Sequence, residues 1–164
     1  MEKKTLKEKL HNSDVAPPFV LIGLLSQFNN RHQAKADTHF KELTWKQMYF
    51  LNGLNIFDEA PTIKDMADFM GSSHQNANKL YAKLLAGGYI TSIQDENDHR
   101  KQRIFLTEKG RTFLRENQIG NAKYVFEMFS DVTNEEIGTV IRVISKLLAK
   151  MDELDSSDVK FTQE

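Results

Sequence analysis

Amide and lysine side chains recur at helical spacing just before the Gly87-Gly88 pair, and they are suited to hydrogen bonding with base pairs. These side chains are Gln75, Asn76, Lys79 and Lys83. On a helical wheel they point away from an apolar stripe, and Asn78 lies on the flank. Gln and Asn can pair bidentately with adenine in a major groove, and Lys can reach guanine or a phosphate. Exposed lysines are more often solvated than bound, so this face alone also fits an ordinary surface.

A second set of charged residues lies in a loop between two short β-rich runs. Eight consecutive polar or charged residues, Gln94 to Lys101, separate Tyr89–Ile93 from Arg103–Leu106. Arg100 and Lys101 are long cations suited to a minor groove or to backbone phosphates. The same loop also fits a hairpin tip that is kept soluble by its charges.

The net charge of −1 hides an uneven distribution of charged residues. Between Met70 and Arg111, seven basic and four acidic residues leave an excess of three positive charges. After Met151 the balance reverses, and we expect residues 155–164 to form a disordered, solubilising acidic tail. Because a polyanionic partner responds to the local field, the middle of the chain remains compatible with nucleic-acid binding.

The chain lacks the residues and motifs that several classes of function require. The 164 residues include no cysteine, which excludes disulfides, thiolate metal sites and cysteine nucleophiles. No Gly-x-Ser-x-Gly elbow and no glycine-rich phosphate loop is present, so we expect neither an enzyme nor a cofactor. The five histidines lack metal-ligand spacing, and only an unbroken first helix would bring His32 and His39 onto one face, so we expect no metal site. We see no secretory signal and no apolar run long enough for a bilayer, and expect a soluble cytoplasmic protein without membrane contact.

Apolar periodicity and capping motifs predict a mostly α (α+β) domain with six helices and one hairpin. The expected helices are Pro18 to about Ala36, Thr44 to about Phe57, Thr62 to Gly71, a fourth that ends at Gly87, Thr107 to about Phe129, and Thr133 to Leu154. The fourth has an apolar stripe of Ala77, Leu80, Tyr81, Leu84 and Leu85. The last has the cleanest stripe, formed by Ile137, Val140, Ile141, Ile144, Leu147, Leu148, Met151 and Leu154.

Two short helices joined by a Gly-Ser turn and followed by a hairpin predict a winged helix-turn-helix. The expected lobe spans residues 44–110 of a single domain, 1–164, and the charged loop forms the tip of its wing. Ser72-x-x-Gln75 also has the form of a capping box, which would engage the Gln75 side chain with the backbone.

The central part of the chain resembles the MarR family of bacterial transcription regulators. The resemblance depends on Asp98-x-Arg100 in the loop and on Leu106-Thr107-Glu108-Lys109-Gly110 after it. It extends to Met70-Gly71-Ser72-Ser73 before the fourth helix and to Leu84–Ile90 at its end. Ser72 and Gly87 depart from the family pattern, which often has an aliphatic residue and a charge at these positions.

The resemblance implies a symmetric homodimer, a ligand-responsive repressor that binds a pseudo-palindromic duplex. Residues 18–36 and 111–154 would be the dimerisation helices; a last helix docked on its own domain is the alternative. Arg100 would enter the minor groove, with Asp98 bracing it and Lys101 beside it. The residues it implies at or near the major groove are Ser73, His74, Gln75, Asn76, Asn78 and Lys79. Lys83, which the helical wheel places on the same outward side, is a further candidate for a DNA contact.

Family members commonly bind a small, often anionic aromatic ligand where the dimerisation helices meet the DNA-binding lobe. Four aromatic residues of the first two helices could line such a pocket or belong to the core, and they are Phe28, Trp45, Tyr49 and Phe50. Two other functions stay open at this point: a winged-helix module that binds protein, and a ligand- or metal-sensing dimer without specific DNA binding.

Overall fold

The computed structural model describes residues 15–40, 42–96 and 98–156, which form six helices and one antiparallel hairpin. In chain order they are α1 (Pro17–His39), α2 (Trp45–Gly53), α3 (Ile63–Phe69), α4 (His74–Ala86), β1 (Ile90–Gln94), β2 (Gln102–Leu106), α5 (Glu108–Met128) and α6 (Asn134–Ser156). This order confirms the predicted winged helix-turn-helix, with α3 and α4 as the helix pair and the hairpin as the wing. Most of the expected acidic tail, residues 157–164, lies outside the described residues.

The predicted capping motifs start four of the helices. Complete capping boxes at Thr44 and Thr62 open α2 and α3. Thr133 exchanges the same pair of hydrogen bonds with Glu136 at the start of α6, and the bond from the Thr133 N–H holds the pKa of Glu136 below its usual range. At the start of α5, the Thr107 hydroxyl accepts the backbone N–H of Gly110 at 3.1 Å.

Three details of the helices differ from the sequence prediction. The helix α2 ends at Gly53 rather than near Phe57, because the chain tightens into a turn in which the Ile56 N–H donates to the carbonyl of Gly53. The helix α1 continues beyond Ala36 to His39. Leu85, which was assigned to the apolar stripe of α4, is 41% exposed.

The described chain separates into two compact units, which divide between Arg115 and Glu116 within α5. The first unit contains the winged helix-turn-helix and a well-buried core. Its largest fully buried side chains are Phe50, Met48, Leu51, Met66, Leu84, Ile90 and Ile104, from α2, α3, α4 and both strands. The hairpin pairs Ile90 with Leu106 and Ser92 with Ile104, which places both core isoleucines on one face.

The second unit has no buried residue between 116 and 154. On α6, six large apolar side chains of the predicted stripe are 42–60% exposed: Val140, Ile141, Leu147, Leu148, Met151 and Leu154. Within the described ranges, no helix is long and apolar enough to cross a membrane. The same ranges contain no group of three His, Asp or Glu side chains suited to a metal ion.

Candidate nucleic-acid interface

The turn between α3 and α4 presents the start of α4 to solvent. Gly71 has φ +56°, a backbone conformation that residues other than Gly rarely adopt, and its N–H donates to the carbonyl of Asp68. Ser73 is the N-cap of α4, and its hydroxyl accepts the backbone N–H of Asn76. The alternative of a Ser72–Gln75 capping box is therefore not what forms, since the cap is one residue later and the Gln75 side chain does not cap the helix.

The helix α4 separates a buried side from a polar side. Ala77 and Leu84 are fully buried, whereas the four polar residues that the wheel turns outward are exposed: Gln75, Asn76, Lys79 and Lys83. His74, at the start of the helix, is exposed as well. Asn78 is half-buried on the flank, and its Nδ2 lies 2.9 Å from Nδ1 of His74. The polar side therefore offers amide and ammonium groups along the helix, and the imidazole of His74 lies beside Asn78 on the flank.

The tip of the wing holds two cations on one carboxylate. Oδ1 of Asp98 accepts from the backbone N–H of Arg100 at 3.2 Å and from its Nε at 3.1 Å. Oδ2 of Asp98 lies 3.5 Å from Nζ of Lys101. These hydrogen bonds, first the one from the Arg100 side chain, hold the pKa of Asp98 below its usual range. The Arg100 side chain is 91% exposed, so its charge is held in place while remaining accessible.

A second, buried carboxylate supports the base of the wing, and sequence reasoning missed it. Asp95 is 6% exposed, pairs with Nε of Arg103 and also accepts the backbone N–H of Asp98 at 2.9 Å. Nη1 of Arg103 donates to the carbonyl of Ala60 at 3.0 Å, which connects the wing to the chain before α3. The one available signal was spacing, since Asp95 directly follows a strand whose Ile93 lies opposite Arg103.

A cleft of about 590 Å³ lies between α4 and the wing. His74, Asn78 and Tyr81 line it on the side of α4, and residues 62–65 line it at the start of α3. The charged residues among its described lining are Lys64, Asp65, Arg100, Lys101 and Arg103. Asp95 and Asp98 pair with three of these cations, so the four cations exceed the three neighbouring carboxylates by one charge, and this positive excess suits a phosphate backbone.

The winged lobe is similar in sequence to a known protein family. The model of the MarR family matches residues 42–101, which extend from just before α2 through the tip of the wing. This segment of the chain is similar to the MarR family. The family lobe thus includes α2, α3, α4 and β1, together with the cations at the wing tip.

A curated relative of this chain is the transcriptional repressor MprA of Escherichia coli (strain K12). The two are 30% identical over 90 residues, which cover 55% of this chain and 51% of the repressor. The chain therefore matches about half the length of that relative.

Two solved structures share the fold. The MepR–DNA complex of S. aureus superposes with a TM-score of 0.70 at 20% identity, over 78% of this chain and 95% of MepR. The PcaV regulator from Streptomyces coelicolor, in complex with its natural ligand, superposes with a TM-score of 0.71 at 17% identity, over 84% of this chain and 97% of PcaV. Both likenesses extend well beyond the MarR-family lobe.

Proposed function

We propose that this protein is a transcription repressor that binds a specific, pseudo-palindromic DNA site as a homodimer. The observation that carries the proposal is the pairing of two surfaces in the MarR-family lobe. His74 and Asn78 of α4 and the braced Arg100 line one cationic cleft. Repression is inferred from the similarity to the repressor MprA, and an exposed cationic surface fits a protein that meets DNA in the cytoplasm.

The polar side of α4 enters the major groove in this proposal. The side chains that would contact bases or phosphates there are Ser73, His74, Gln75, Asn76, Asn78, Lys79 and Lys83. Gln75 is available to read adenine because the N-cap of α4 is Ser73, which leaves the Gln75 amide outside the cap. The exposed start of α4 adds backbone N–H groups that attract a phosphate.

The wing supplies the second contact. Arg100 enters the minor groove, because its charge is exposed and its direction is set by the two hydrogen bonds to Asp98. Lys101, 58% exposed, neutralises a neighbouring phosphate. One backbone strand of the duplex then passes through the cationic cleft between the two contacts.

The dimer in this proposal forms through the long helices outside the lobe. The apolar stripe of α6 is exposed along its length, and water-exposed stripes of this size mark interaction surfaces. Two-fold symmetry would place two copies of α4 about one helical turn apart, roughly 10 base pairs, on inverted half-sites.

A small aromatic or anionic effector completes the proposal, at the level of ligand class. PcaV carries its natural ligand in the same fold. In this chain the rings of His32 and Trp45 lie 4.5 Å apart, and Phe28 stacks on His32 at 5.7 Å. Burial lowers the pKa of His32, so the neutral ring is favoured. Phe50 is fully buried and belongs to the core, which removes it from the pocket expected from the sequence.

Selection from a pool of random duplex DNA, repeated at two salt concentrations, tests the proposed function. An enriched inverted repeat is expected, and its affinity should fall steeply with salt because each neutralised phosphate contributes a slope of about 0.9. If no sequence is enriched, the proposal fails, and the winged lobe becomes a candidate protein-binding module. An enriched operator would then allow effectors to be screened by release of the DNA.

A further inference from the structure

Three polar side chains connect α4 to both strands of the wing. The hydroxyl of Tyr81 lies 2.7 Å from that of Ser92 on β1, and 3.2 Å from Oε1 of Gln102 on β2. The Ser92 hydroxyl donates to the same Oε1 at 2.7 Å. These three side chains form a link between the helix and the hairpin.

The number of available protons determines which group donates and which accepts at each contact of the link. Two hydroxyl protons are shared among three contacts, and the carboxamide oxygen only accepts. The two shortest distances are both satisfied when Tyr81 donates to Ser92 and Ser92 donates to Gln102. Each hydroxyl then donates once, and the chain of bonds runs from the helix through one strand to the other.

The hairpin register brings the two wing residues of the link together. Ser92 lies opposite Ile104, and Gln102 lies opposite Gln94, so both point to the face that carries the buried Ile104. Thr91 is exposed and belongs to the opposite face, opposite Phe105. The link therefore uses the inner face of the wing, where the wing meets α4.

Tyr81 and Gln102 also line the cationic cleft, together with His74 and Asn78 of α4 and with Arg100. We propose that the Tyr81–Ser92–Gln102 link fixes the wing relative to α4, so that α4 and Arg100 engage neighbouring grooves of one duplex as a single unit. This inference rests on the proposed function, and it assigns the three residues a positioning role. Without the link, only a fraction of molecules would hold the wing at the spacing that DNA requires, and the apparent affinity would fall by that fraction.

The test uses the operator selected above and measures coupling between the two surfaces. Dissociation constants are determined by fluorescence anisotropy for Asn76→Ala, Arg100→Ala and the double variant, in the wild-type and Tyr81→Phe backgrounds. In the wild-type background the double variant should depart from the product of the single effects by about threefold or more. In the Tyr81→Phe background the product should hold within about twofold, and Tyr81→Phe alone should weaken binding about fivefold.

Matched variants separate the link from general damage to the fold. Ser92→Ala should reproduce the effect of Tyr81→Phe, whereas Ser92→Thr should preserve the coupling because it keeps the hydroxyl. Thr91→Val removes a hydroxyl from the outer face of the same strand and should leave both affinity and coupling unchanged. Circular dichroism and the midpoint of thermal unfolding show whether each variant folds, and Ser92→Ala replaces Tyr81→Phe if the latter does not.

The outcomes distinguish the two proposals. If the wild-type protein enriches no operator, the proposed function itself fails. If it binds an operator but shows no coupling, or if Tyr81→Phe and Ser92→Ala retain the coupling, the link has no positioning role while the proposed function stands. An equal effect of Thr91→Val would also overturn the positioning role.

Discussion

The two units of this chain are stabilised in different ways. In the first, residues such as Phe50, Leu51 and Leu84 are fully buried, and hydrogen bonds connect the wing to α4 and to the chain before α3. In the second, no residue between 116 and 154 is buried, although α6 has the most regular apolar stripe in the sequence. Regular apolar spacing therefore predicts a helix and its apolar face, whereas the burial of that face depends on whether another element packs against it.

The largest expected effect comes from placing a charge in the α6 stripe. A buried Leu contributes about 1.5–3 kcal/mol, and two-fold symmetry doubles this, so Leu148→Asp should weaken self-association by at least about 100-fold. Ala149→Asp puts the same charge one residue away, about 100° round the helix and outside the apolar stripe, and should leave the dimer intact. Sedimentation equilibrium of both variants measures the difference.

The outcome of this pair bears directly on DNA binding. Leu148→Asp should also reduce operator affinity, because only one half-site is then bound at a time. If Leu148→Asp sediments like the wild-type protein, the stripe is not the dimer interface, and the exposure of apolar side chains on α6 needs another explanation.

A pair of glycine substitutions should affect the units in opposite directions. Alanine favours a helix over glycine by about 1 kcal/mol. At Gly110 in the first unit, however, an added Cβ would lie 2.1 Å from the carbonyl oxygen of Tyr89. Gly110→Ala should therefore lower the free energy of unfolding by about 3 kcal/mol. A Cβ at Gly138 on α6 meets nothing within 4 Å, so Gly138→Ala should stabilise by about 0.5–1 kcal/mol.

Urea unfolding of the two glycine variants, at one protein concentration, provides the measurement. Equal tolerance of alanine at Gly110 and Gly138 would mean that α5 does not pack closely against the backbone of Tyr89. The contrast between a packed and an uncovered region would then be weaker than the geometry indicates.

Removal of a cation should matter in the lobe and not on α6. Arg100→Ala should weaken DNA binding about tenfold across many sequences and reduce the salt slope by about 1. Arg142→Ala removes an exposed cation from α6 and should change neither quantity. Asn76→Ala and Gln75→Ala should instead lose discrimination at particular base pairs, by about 1–3 kcal/mol each.

Anisotropy titrations with the operator and with single-base variants of it distinguish these effects. A loss at Arg100 that is confined to one base pair would turn it from a general groove contact into a base-reading residue. Unchanged affinity in all of these lobe variants would contradict the proposed DNA surface.

Local signals explain how much of the fold could be predicted from the sequence. Capping pairs three residues apart, such as Thr44 with Gln47, and the Gly71 turn require only neighbouring residues, and they are found where the pattern indicated. Contacts between distant segments were not predictable in this way. Asp95 with Arg103 and Tyr81 with Ser92 depend on the hairpin register.

The remaining errors in the sequence prediction came from packing. Ser72 and Ser73 are equally good caps by residue type, but the Ser72 hydroxyl is buried without a hydrogen-bond partner in the described structure, which leaves Ser73 to cap α4. The early end of α2 places Gly53 against the ring of Phe69, where a Cβ would come within 2.5 Å of Cε1. Neither the burial of the Ser72 hydroxyl nor the close approach of Gly53 to Phe69 leaves a signal in residue spacing.

The smallest expected effect appears at high pH and tests how closed the lobe is around Tyr89. This side chain is 5% exposed, and its hydroxyl donates to Oε1 of Glu42. Burial, followed by the hydrogen bond and the charge of Glu42, raises the pKa of Tyr89 to about 12. Since this pKa lies above the ordinary value of 10.0, the folded state prefers the protonated phenol. Its stabilising contribution is fully present below pH 10 and is lost as the pH rises toward 12.

Absorbance at 295 nm during an alkaline titration should therefore contain a component near pH 12 that Tyr89→Phe removes. Because burial is the largest cause, Glu42→Gln should lower the pKa of Tyr89 only partly toward 10.0. A complete return to 10.0 in Glu42→Gln would mean that water reaches the phenol and that the pairing alone raises its pKa. The lobe would then be open at the junction of α4 and β1, and the Tyr89 carbonyl would be a weaker barrier to a Cβ at Gly110.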